Sequence, residues 1–325
     1  MPHLLVTGAT GCIGRATVKR AIRSGWSVTG LARREAPPWW PSEARYVRAP
    51  VNDLAALARA AQDSEAIVHL ASPVHQQVAT HEEEARAWTE TVDGTALAAR
   101  VATECGARFI LISTIGVYGN PPPSLSDERT RTGPTTAYGR AKLAAEERSR
   151  AEHANPLVLR CAVVYGPGDR GNMIRIIDAV DRGRAFIVGR GANRKSVLFS
   201  ENLADRILAC LAVGVTGTWC VADTPAPTQR ELLQEIARAV SRPQPRSIPA
   251  GVAIGVATVL DVVDVLRGSR RPRWSSTIRT LLSESKVDGS ALDRAISYSP
   301  RVSLDEGLSR TVKSLRLKSE AATRS

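Results

Sequence analysis

The sequence is poor in aromatic residues and in cysteine, and both shortages narrow the range of functions. Phe, Trp and Tyr make up 4% of the 325 residues, the basic residues are scattered, and no zinc-finger or RNA-binding signature is present. No nucleic-acid partner is therefore expected. The cysteines are odd in number and far apart, which predicts buried thiols in a reducing compartment, with neither a disulfide framework nor a metal site. They are Cys12, Cys105, Cys161, Cys210 and Cys220.

The chain also lacks a hydrophobic run long enough to cross a membrane. Its most apolar stretch, residues 250–260, is interrupted by Asp261 and Asp264, so stable membrane insertion is not expected. The basic residues that follow are Arg267, Arg270, Arg271 and Arg273. They leave peripheral contact with a membrane open. Residues 1–3 lead directly into an apolar strand, which predicts no signal peptide and a cytoplasmic location.

Acidic residues are the minority among the charged ones. Lys and Arg number 44 against 32 Asp and Glu, a formal net charge of +12, while 43% of the residues are hydrophobic. Because the positive charge is spread along the chain, it predicts solubility and some attraction for phosphorylated ligands. The length suffices for one large or two smaller domains.

The clearest motif lies at the start of the chain. The apolar run 4–6 breaks into glycines spaced three apart, Gly8, Gly11 and Gly14, and a helical pattern follows from Arg15. Glycines allow a tight turn and close approach of backbone N–H groups to a pyrophosphate at the positive end of a helix. The strand, turn and helix together predict a dinucleotide site. Its predicted contacts are Gly8, Thr10, Gly11, Cys12, Ile13 and Gly14.

The end of the second predicted strand indicates which dinucleotide binds. An acidic residue about twenty positions beyond the glycines would hold the ribose 2′-hydroxyl of NAD. This chain has Arg33 and Arg34 there, and Glu35 comes only after both. Paired arginines favour a 2′-phosphate, so NADP(H) is the preferred cofactor, with NAD(H) possible.

Strands alternate with helices along the chain, which predicts an α/β fold of the Rossmann type, a doubly wound parallel sheet with a smaller C-terminal substrate lobe. Residues 1–165 are predicted to form the nucleotide-binding domain, to which 197–222 partly return. The substrate lobe is predicted to comprise 166–196 and 223–315. Residues 316–325 are predicted to be a flexible tail.

Three side chains beyond the glycine turn predict catalysis. Thr114 ends the strand over 108–114, and Tyr138 and Lys142 lie four apart at the start of a helix. Residues four apart share one helix face, so the phenol and the ammonium can point into one site. A phenol is a poor base at neutral pH unless a nearby cation stabilises its phenolate.

Four motifs together resemble the extended short-chain dehydrogenase/reductases, and most closely their NAD(P)-dependent epimerase/dehydratase group that acts on nucleotide sugars. The motifs are the glycine turn, Ser113 to Gly119, Tyr138-x-x-x-Lys142 and Tyr165 to Asp169. The resemblance implies that Tyr138 is the general acid/base, that Lys142 lowers its pKa and bonds the nicotinamide ribose, and that Thr114 holds the reacting oxygen.

The same resemblance implies further contacts. Those with the cofactor are expected at Val51, Leu70, Ala71 and Ser72, and those with substrate phosphates at Asn172, Arg194 and Lys195. Amides and cations are suitable partners for a diphosphate. The resemblance also makes a homodimer through the helices over 82–104 and 138–154 possible.

Departures from the family pattern restrict the reaction. Ile115 and Gly116 stand where sugar dehydratases carry an Asp-Glu pair, which disfavours dehydration. Pro50 stands where the family often has an adenine-binding Asp, so the backbone near Val51, or Asp53 in another register, is expected to take that role. Val163 replaces a phosphate-binding Asn, which disfavours a standard UDP-galactose-type epimerase.

The leading hypothesis is an NADPH-dependent reductase of a 4-keto nucleotide-hexose, similar to those of bacterial surface-polysaccharide pathways. One alternative is a nucleotide-sugar 4-epimerase with tightly bound NAD. A second is a dehydrogenase/reductase of a hydrophobic, sterol-like alcohol, which the apolar stretch over 251–266 supports. A third is a non-catalytic NADP-sensing or scaffold protein, against which the intact set of Thr114, Tyr138 and Lys142 argues.

Overall fold

A computed structural model describes residues 1–72, 81–119, 122–267 and 274–323, with the side chains of 81 and 318–323 left out. Arg270, Arg271 and Arg273, singled out above, lie outside the described residues. The strands in chain order are β1 (His3–Thr7), β2 (Ser27–Ala32), β3 (Arg45–Arg48), β4 (Ala66–His69), β5 (Arg108–Thr114), β6 (Leu125–Ser126), β7 (Leu157–Cys161), β8 (Val163–Tyr165), β9 (Ile187–Val188), β10 (Val197–Phe199), β11 (Gly217–Val221), β12 (Ser247–Ile248) and β13 (Lys286–Val287).

Helices connect these strands and form most of the C-terminal third. In chain order they are α1 (Cys12–Arg23), α2 (Leu54–Ala61), α3 (His81–Glu104), α4 (Ala137–Glu152), α5 (Asn172–Asp181), α6 (Ser200–Val213), α7 (Gln229–Val240), α8 (Ala250–Leu266), α9 (Trp274–Leu282), α10 (Ser290–Ala295) and α11 (Leu304–Thr323). One 3₁₀ turn, Ile115–Tyr118, follows β5. Across the ranges described, no helix is long and apolar enough to cross a membrane.

The central sheet confirms the predicted fold class. Seven strands pair in parallel in the order β11-β7-β5-β4-β1-β2-β3. The chain runs outward from β1 to β3 and then crosses back to β4, so the topological switch point lies between β1 and β4. Thr7 pairs with His69 at the ends of these two strands. Ligands of such sheets bind in the crevice at this point.

Helices cover both faces of the sheet, because its central strands β1, β4, β5 and β7 are buried on both sides. α1 and α6 pack on one face, where Val18 and Ile207 join Leu4 and Leu159 in one buried cluster. α2 and α3 cover the other face. α3 also packs lengthwise against α4. Helices therefore lie on both sides of the carboxyl ends of β1, β4 and β5.

A second hydrophobic cluster forms apart from the sheet. α5, α7 and α11 surround Tyr165 and Phe199, with Ile177, Ile236 and Leu308 buried between them. β11 pairs with β7 at the edge of the central sheet, so the chain returns to the sheet after α6. The division into a nucleotide-binding domain and a substrate lobe stays a prediction.

A buried arginine ties α6 to the segments around it. Arg206 is fully buried and pairs with Asp223 at 2.9 Å and with Asp293 at 2.7 Å. Its guanidinium also stacks over the ring of Tyr298, at 4.4 Å from the centroid. These contacts join α6, the segment after β11 and α10.

The end of β4 bears on the site, and the C-terminal end of the chain differs from the sequence prediction. β4 ends at His69, because Leu70 and Ala71 turn out of the sheet and donate their N–H groups to the Thr7 hydroxyl. The flexible tail was expected from Arg316, but α11 continues through Thr323. Arg316 donates a hydrogen bond to the Val240 carbonyl at 2.9 Å, which fastens this part of α11 to α7.

Candidate active site

The turn between β1 and α1 has the geometry of an anion cradle. Gly8 has φ +65°, and a Cβ there would lie 2.8 Å from the backbone of Leu70 and Ala71. A Cβ on Gly14 would lie 2.6 Å from the Gly8 carbonyl oxygen. No side chain caps α1 at Gly11. A tight turn with this close backbone packing at the positive end of a helix fits the pyrophosphate of a dinucleotide.

Thr7 fastens the end of β4 against this turn. Its Oγ1 accepts hydrogen bonds from the N–H groups of Leu70, at 3.2 Å, and Ala71, at 3.3 Å, and lies 3.0 Å from His69 Nδ1. Burial, together with the charge of Lys142, lowers the pKa of His69 to about 3. His69 is therefore a neutral structural group. Ser72 follows, with its Oγ 3.1 Å from Thr91 Oγ1.

The tip of β2 separates the two arginines predicted to select NADP(H). Arg33 pairs with Glu90 of α3 through Nη1, at 2.8 and 2.9 Å from the two carboxylate oxygens. The Arg34 side chain is exposed and has no hydrogen-bond partner among the described residues. Glu35 pairs with Arg48 at 2.9 Å, so this acid is already engaged.

The structure narrows the two possibilities for adenine recognition. The Asp53 side chain accepts a hydrogen bond from the Ala56 N–H at 2.9 Å and so caps α2. Val51 is buried, and a Cβ on Gly94 of α3 would lie 2.7 Å from its Cγ1. Asp53 has a helix-capping role, which leaves the backbone near Val51 as the predicted contact.

The three predicted catalytic residues meet at the end of β5. Tyr138 lies at the start of α4, capped by Thr136, whose Oγ1 accepts from the Gly139 N–H at 3.0 Å. Tyr138 and Thr114 share a hydrogen bond. A Cβ on Gly139 would lie 2.5 Å from the Gly116 carbonyl oxygen. Gly139 therefore permits the close approach that brings the phenol to Thr114.

Lys142 occupies the same face of α4, one turn further on. It is 6% exposed, and its Nζ donates to the Ile112 carbonyl at 3.0 Å. Burial lowers its pKa to about 8, opposed by the nearby Cys161 and Glu146. Burial also raises the pKa of Tyr138 above its ordinary value, opposed by the hydrogen bond to Thr114. Burial raises the pKa of the Cys161 thiol to about 12, so that group stays protonated.

A buried ionic network below these residues was not predicted from the sequence. Glu146, one turn beyond Lys142, is fully buried and accepts from Ser113 Oγ at 2.6 Å and from Arg160 at 2.7 Å. Arg160 also donates to the Tyr118 hydroxyl at 3.1 Å. The network joins α4, β5 and β7 directly beneath Thr114 and Lys142. The place of Glu146 in the network could have been predicted from its i, i+4 spacing to Lys142. The place of Arg160 could not, because it depends on how the strands pair.

The three residues predicted to hold substrate phosphates lie in two segments of the chain, and two of them bond backbone carbonyls. Asn172 is exposed at the first position of α5. Arg194 donates to the Ala226 carbonyl at 2.6 Å. Lys195 donates to the carbonyls of Thr280, at 2.8 Å, and Ser283, at 2.6 Å. These hydrogen bonds pair carbonyl groups at the C-terminal end of α9 that have no partner within the helix. The ammonium of Lys195 is therefore engaged in holding the fold.

A cavity of about 1140 Å³ lies on the C-terminal part of the chain. Arg194, Glu231 and Arg301 line it together with Tyr165, whereas Tyr138 and Lys142 are not among its lining residues. The predicted catalytic residues and the glycine turn lie at the carboxyl ends of β1, β4 and β5, away from the residues that line this cavity. Within the described ranges, no group of three or more His, Cys, Asp or Glu could hold a metal ion.

The family assignment follows from comparison with known proteins. The model of the NAD dependent epimerase/dehydratase family matches residues 4–220. The chain belongs to this family and is an NAD(P)-dependent enzyme, as the sequence motifs predicted. Those motifs all lie within the matched residues.

Curated relatives with different activities resemble the chain to similar degrees. A ceramide reductase of Caulobacter vibrioides is 28% identical over 77% of this chain and 76% of the relative. A UDP-glucose 4-epimerase of Mycolicibacterium smegmatis is 27% identical over 97% and 99%. The crystal structure of a UDP-glucose 4-epimerase from Thermotoga maritima has a TM-score of 0.74 at 22% identity, covering 97% of this chain and 99% of that one. This structural likeness shows the fold.

Proposed function

We propose that the protein is an NADPH-dependent reductase of a 4-keto nucleotide-hexose. The observation that carries the proposal is the hydrogen bond between Thr114 and Tyr138, with Lys142 buried on the same face of α4. This arrangement suits proton donation to the oxygen of a ketone. Nucleotide sugars are named as substrates of several relatives, including a dTDP-4-dehydrorhamnose reductase of Mycobacterium tuberculosis that is 26% identical over 66% of this chain and 67% of the relative.

Each residue has a defined task in the proposed reaction. Thr114 holds the ketone oxygen by a hydrogen bond, and Tyr138 donates its phenolic proton to that oxygen as negative charge develops there. Lys142 stabilises the phenolate that remains. A reduced nicotinamide, when bound, supplies the hydride to the carbonyl carbon. The ketone, one hydride and one proton thus give the secondary alcohol.

The proposed preference for NADPH rests on the tip of β2. Arg34 offers an exposed guanidinium beside the position of the ribose, and Glu35 is paired with Arg48. Arg33 can add a second contact if its exposed ion pair with Glu90 opens, since such pairs contribute little. A carboxylate suited to the 2′-hydroxyl of NAD is missing from this strand tip.

Dehydration is disfavoured because the residues after Thr114 carry no acid or base. Ile115 is buried and Gly116 has no side chain. Water elimination from a sugar needs a proton acceptor and a donor on neighbouring carbons, which this segment does not offer. Reduction and epimerisation then remain as reactions of the Tyr138 site. Of these two, reduction fits a cofactor that exchanges after each turnover.

Steady-state oxidation of NADPH tests the proposal. We expect turnover with at least one 4-keto nucleotide sugar, carried on UDP, dTDP or GDP, and loss of that turnover in Tyr138→Phe. Purified protein that holds NAD tightly and interconverts 4-epimers without added cofactor would instead support the epimerase. Absence of NADPH oxidation with all of these ketones contradicts the proposal.

A reductase of a lipid-borne ketone is the second candidate. The observation that favours it is the exposed apolar surface of α8, together with the Lys195 ammonium, which bonds the carbonyls of Thr280 and Ser283. The ceramide reductase relative is named for a lipid. A 3-ketosphingoid base in mixed micelles is the discriminating substrate: turnover with it and none with nucleotide sugars would favour this candidate.

A further inference from the structure

Helix α8 exposes its apolar side chains and turns its small and acidic side chains toward the protein, the reverse of an ordinary surface helix. Only Ala257 is fully buried, at 3% exposure, and Asp261 is partly buried on the same side. Eight large hydrophobic residues of α8 are exposed, with Val259 at 62% and Leu266 at 81%. Surface helices normally turn their apolar face to the core and their polar face to water. Here the small and acidic residues face the protein, so the apolar face has no partner among the residues that the structure describes.

The apolar face is part of a firmly built hairpin. The two carboxylate oxygens of Asp261 accept from the N–H groups of Trp274, at 2.8 Å, and Ser275, at 2.9 Å, which caps α9. Asp264 accepts from the indole N–H of Trp274 at 2.9 Å. At its other end α9 is capped by Lys195 and by Asn193, whose Nδ2 donates to the Leu281 carbonyl at 2.8 Å. Both acidic residues of α8 are thus hydrogen-bonded to α9 within the hairpin.

The surroundings of the hairpin are basic. Within 242–267 and 274–286, which the structure describes, five Lys or Arg stand against three Asp or Glu, a net charge of +2, and the sequence of 242–286 as a whole carries +5. Two of the three acids are Asp261 and Asp264, which face α9. Arg267 and Arg279 flank the hairpin and are exposed. An apolar face with a basic rim matches an anionic lipid surface, whereas a second copy would oppose two basic rims.

We propose that α8 and α9 dock the protein on the surface of an anionic lipid bilayer. The exposed side chains of α8 enter the boundary between headgroups and acyl chains, and the basic rim contacts the lipid phosphates. The side chains expected to contribute most to lipid binding are the most exposed ones, Val252, Val256, Val259, Val262, Val265 and Leu266. This surface would operate whichever ketone the enzyme reduces, so the proposal does not depend on the proposed function.

Flotation of the full chain with lipid vesicles tests the proposal. The wild type is expected to float with phosphatidylcholine vesicles that contain about a third phosphatidylglycerol, and to float less at high salt because ions screen the rim. Val259→Glu/Val262→Glu is expected to weaken vesicle binding at least ~tenfold. Val213→Glu on α6 is the matched control: this valine is 58% exposed but isolated, and its variant should bind as the wild type does.

Three outcomes would overturn the proposal. They are wild-type protein that does not float with anionic vesicles, a double variant that floats as well as the wild type, and equal loss of binding in Val213→Glu. A dimer by analytical ultracentrifugation that Val259→Glu/Val262→Glu dissociates, without vesicle binding by the wild type, would assign the face to a second copy. Thermal unfolding checks that each variant is folded, and Val252→Glu replaces the double variant if that variant does not fold.

Discussion

Tyr138 is the residue on which the proposed proton transfer depends. Phenylalanine keeps the ring on the face of α4 but removes the hydroxyl that bonds Thr114. We expect Tyr138→Phe to lower kcat by ~10²–10⁴-fold, the usual contribution of a positioned acid or base, with the affinity for cofactor nearly unchanged. Single-turnover kinetics and fluorescence titration with NADPH measure the two quantities. A kcat within twofold of the wild type would remove Tyr138 from the mechanism.

Lys142 gives the reaction a defined dependence on pH. Burial lowers its pKa to about 8, so its ammonium is present below that pH and is lost above it. Since loss of the charge weakens stabilisation of the phenolate, kcat/KM for reduction should fall as pH rises through about 8. A profile of kcat/KM from pH 6 to 10 measures this. In Lys142→Met, kcat/KM should be much lower at every pH and should lack this fall at high pH.

Arg34 is predicted to be the principal contact for the 2′-phosphate. A hydrogen bond between charged groups contributes about 1.5–3 kcal/mol, so Arg34→Ala should raise the KM for NADPH at least ~tenfold. The KM for NADH should change little, because NADH has no phosphate there. Arg59→Ala, an exposed arginine of α2, controls for the loss of one surface charge. Equal effects on both cofactors would contradict the role of Arg34.

At the scale of elements, the site depends on how closely α4 approaches the turn after β5. A Cβ on Gly139 would lie 2.5 Å from the Gly116 carbonyl oxygen, and backbone cannot yield cheaply. Gly139→Ala should therefore cost about 1–3 kcal/mol of stability, as overpacking does, and displace Tyr138 with a large loss of kcat. Gly133→Ala is the matched control, because nothing lies within 4 Å of a Cβ there. Denaturant unfolding and steady-state kinetics check both variants.

The elements also show which features a sequence can predict. The glycine turn and the spacing of Tyr138 and Lys142 are local patterns, and the strands that carry them follow from apolar runs, so the fold and the meeting of these residues could be predicted. The position of Lys195 could not, because its ammonium binds carbonyls 85 and 88 residues away, on α9. Arg160 likewise reaches Glu146 of α4 only because β7 pairs with β5, which sets Arg160 beside Ser113, the other partner of Glu146.

At the scale of the molecule, Arg206 links the helices next to the sheet to the C-terminal segments. Its removal would leave Asp223 and Asp293 largely buried without their cation. We expect Arg206→Met to cost about 3–5 kcal/mol, whereas Arg182→Met, which breaks an exposed pair with Asp178, should cost at most about 1 kcal/mol. Chemical denaturation measures both changes. Similar losses in the two variants would show that the buried pairs add nothing beyond surface charge.

We expect net reduction with an exchangeable cofactor, and one isotope measurement tests this most directly. The enzyme is incubated with NADPH that carries deuterium at both C4 positions of the nicotinamide and with a 4-keto nucleotide sugar, and the product is analysed by mass spectrometry. We predict one NADPH oxidised per product molecule and one deuterium at C4 of the sugar. Conversion of nucleotide-sugar epimers with no NADPH consumed and no deuterium gained would contradict the account and support the epimerase.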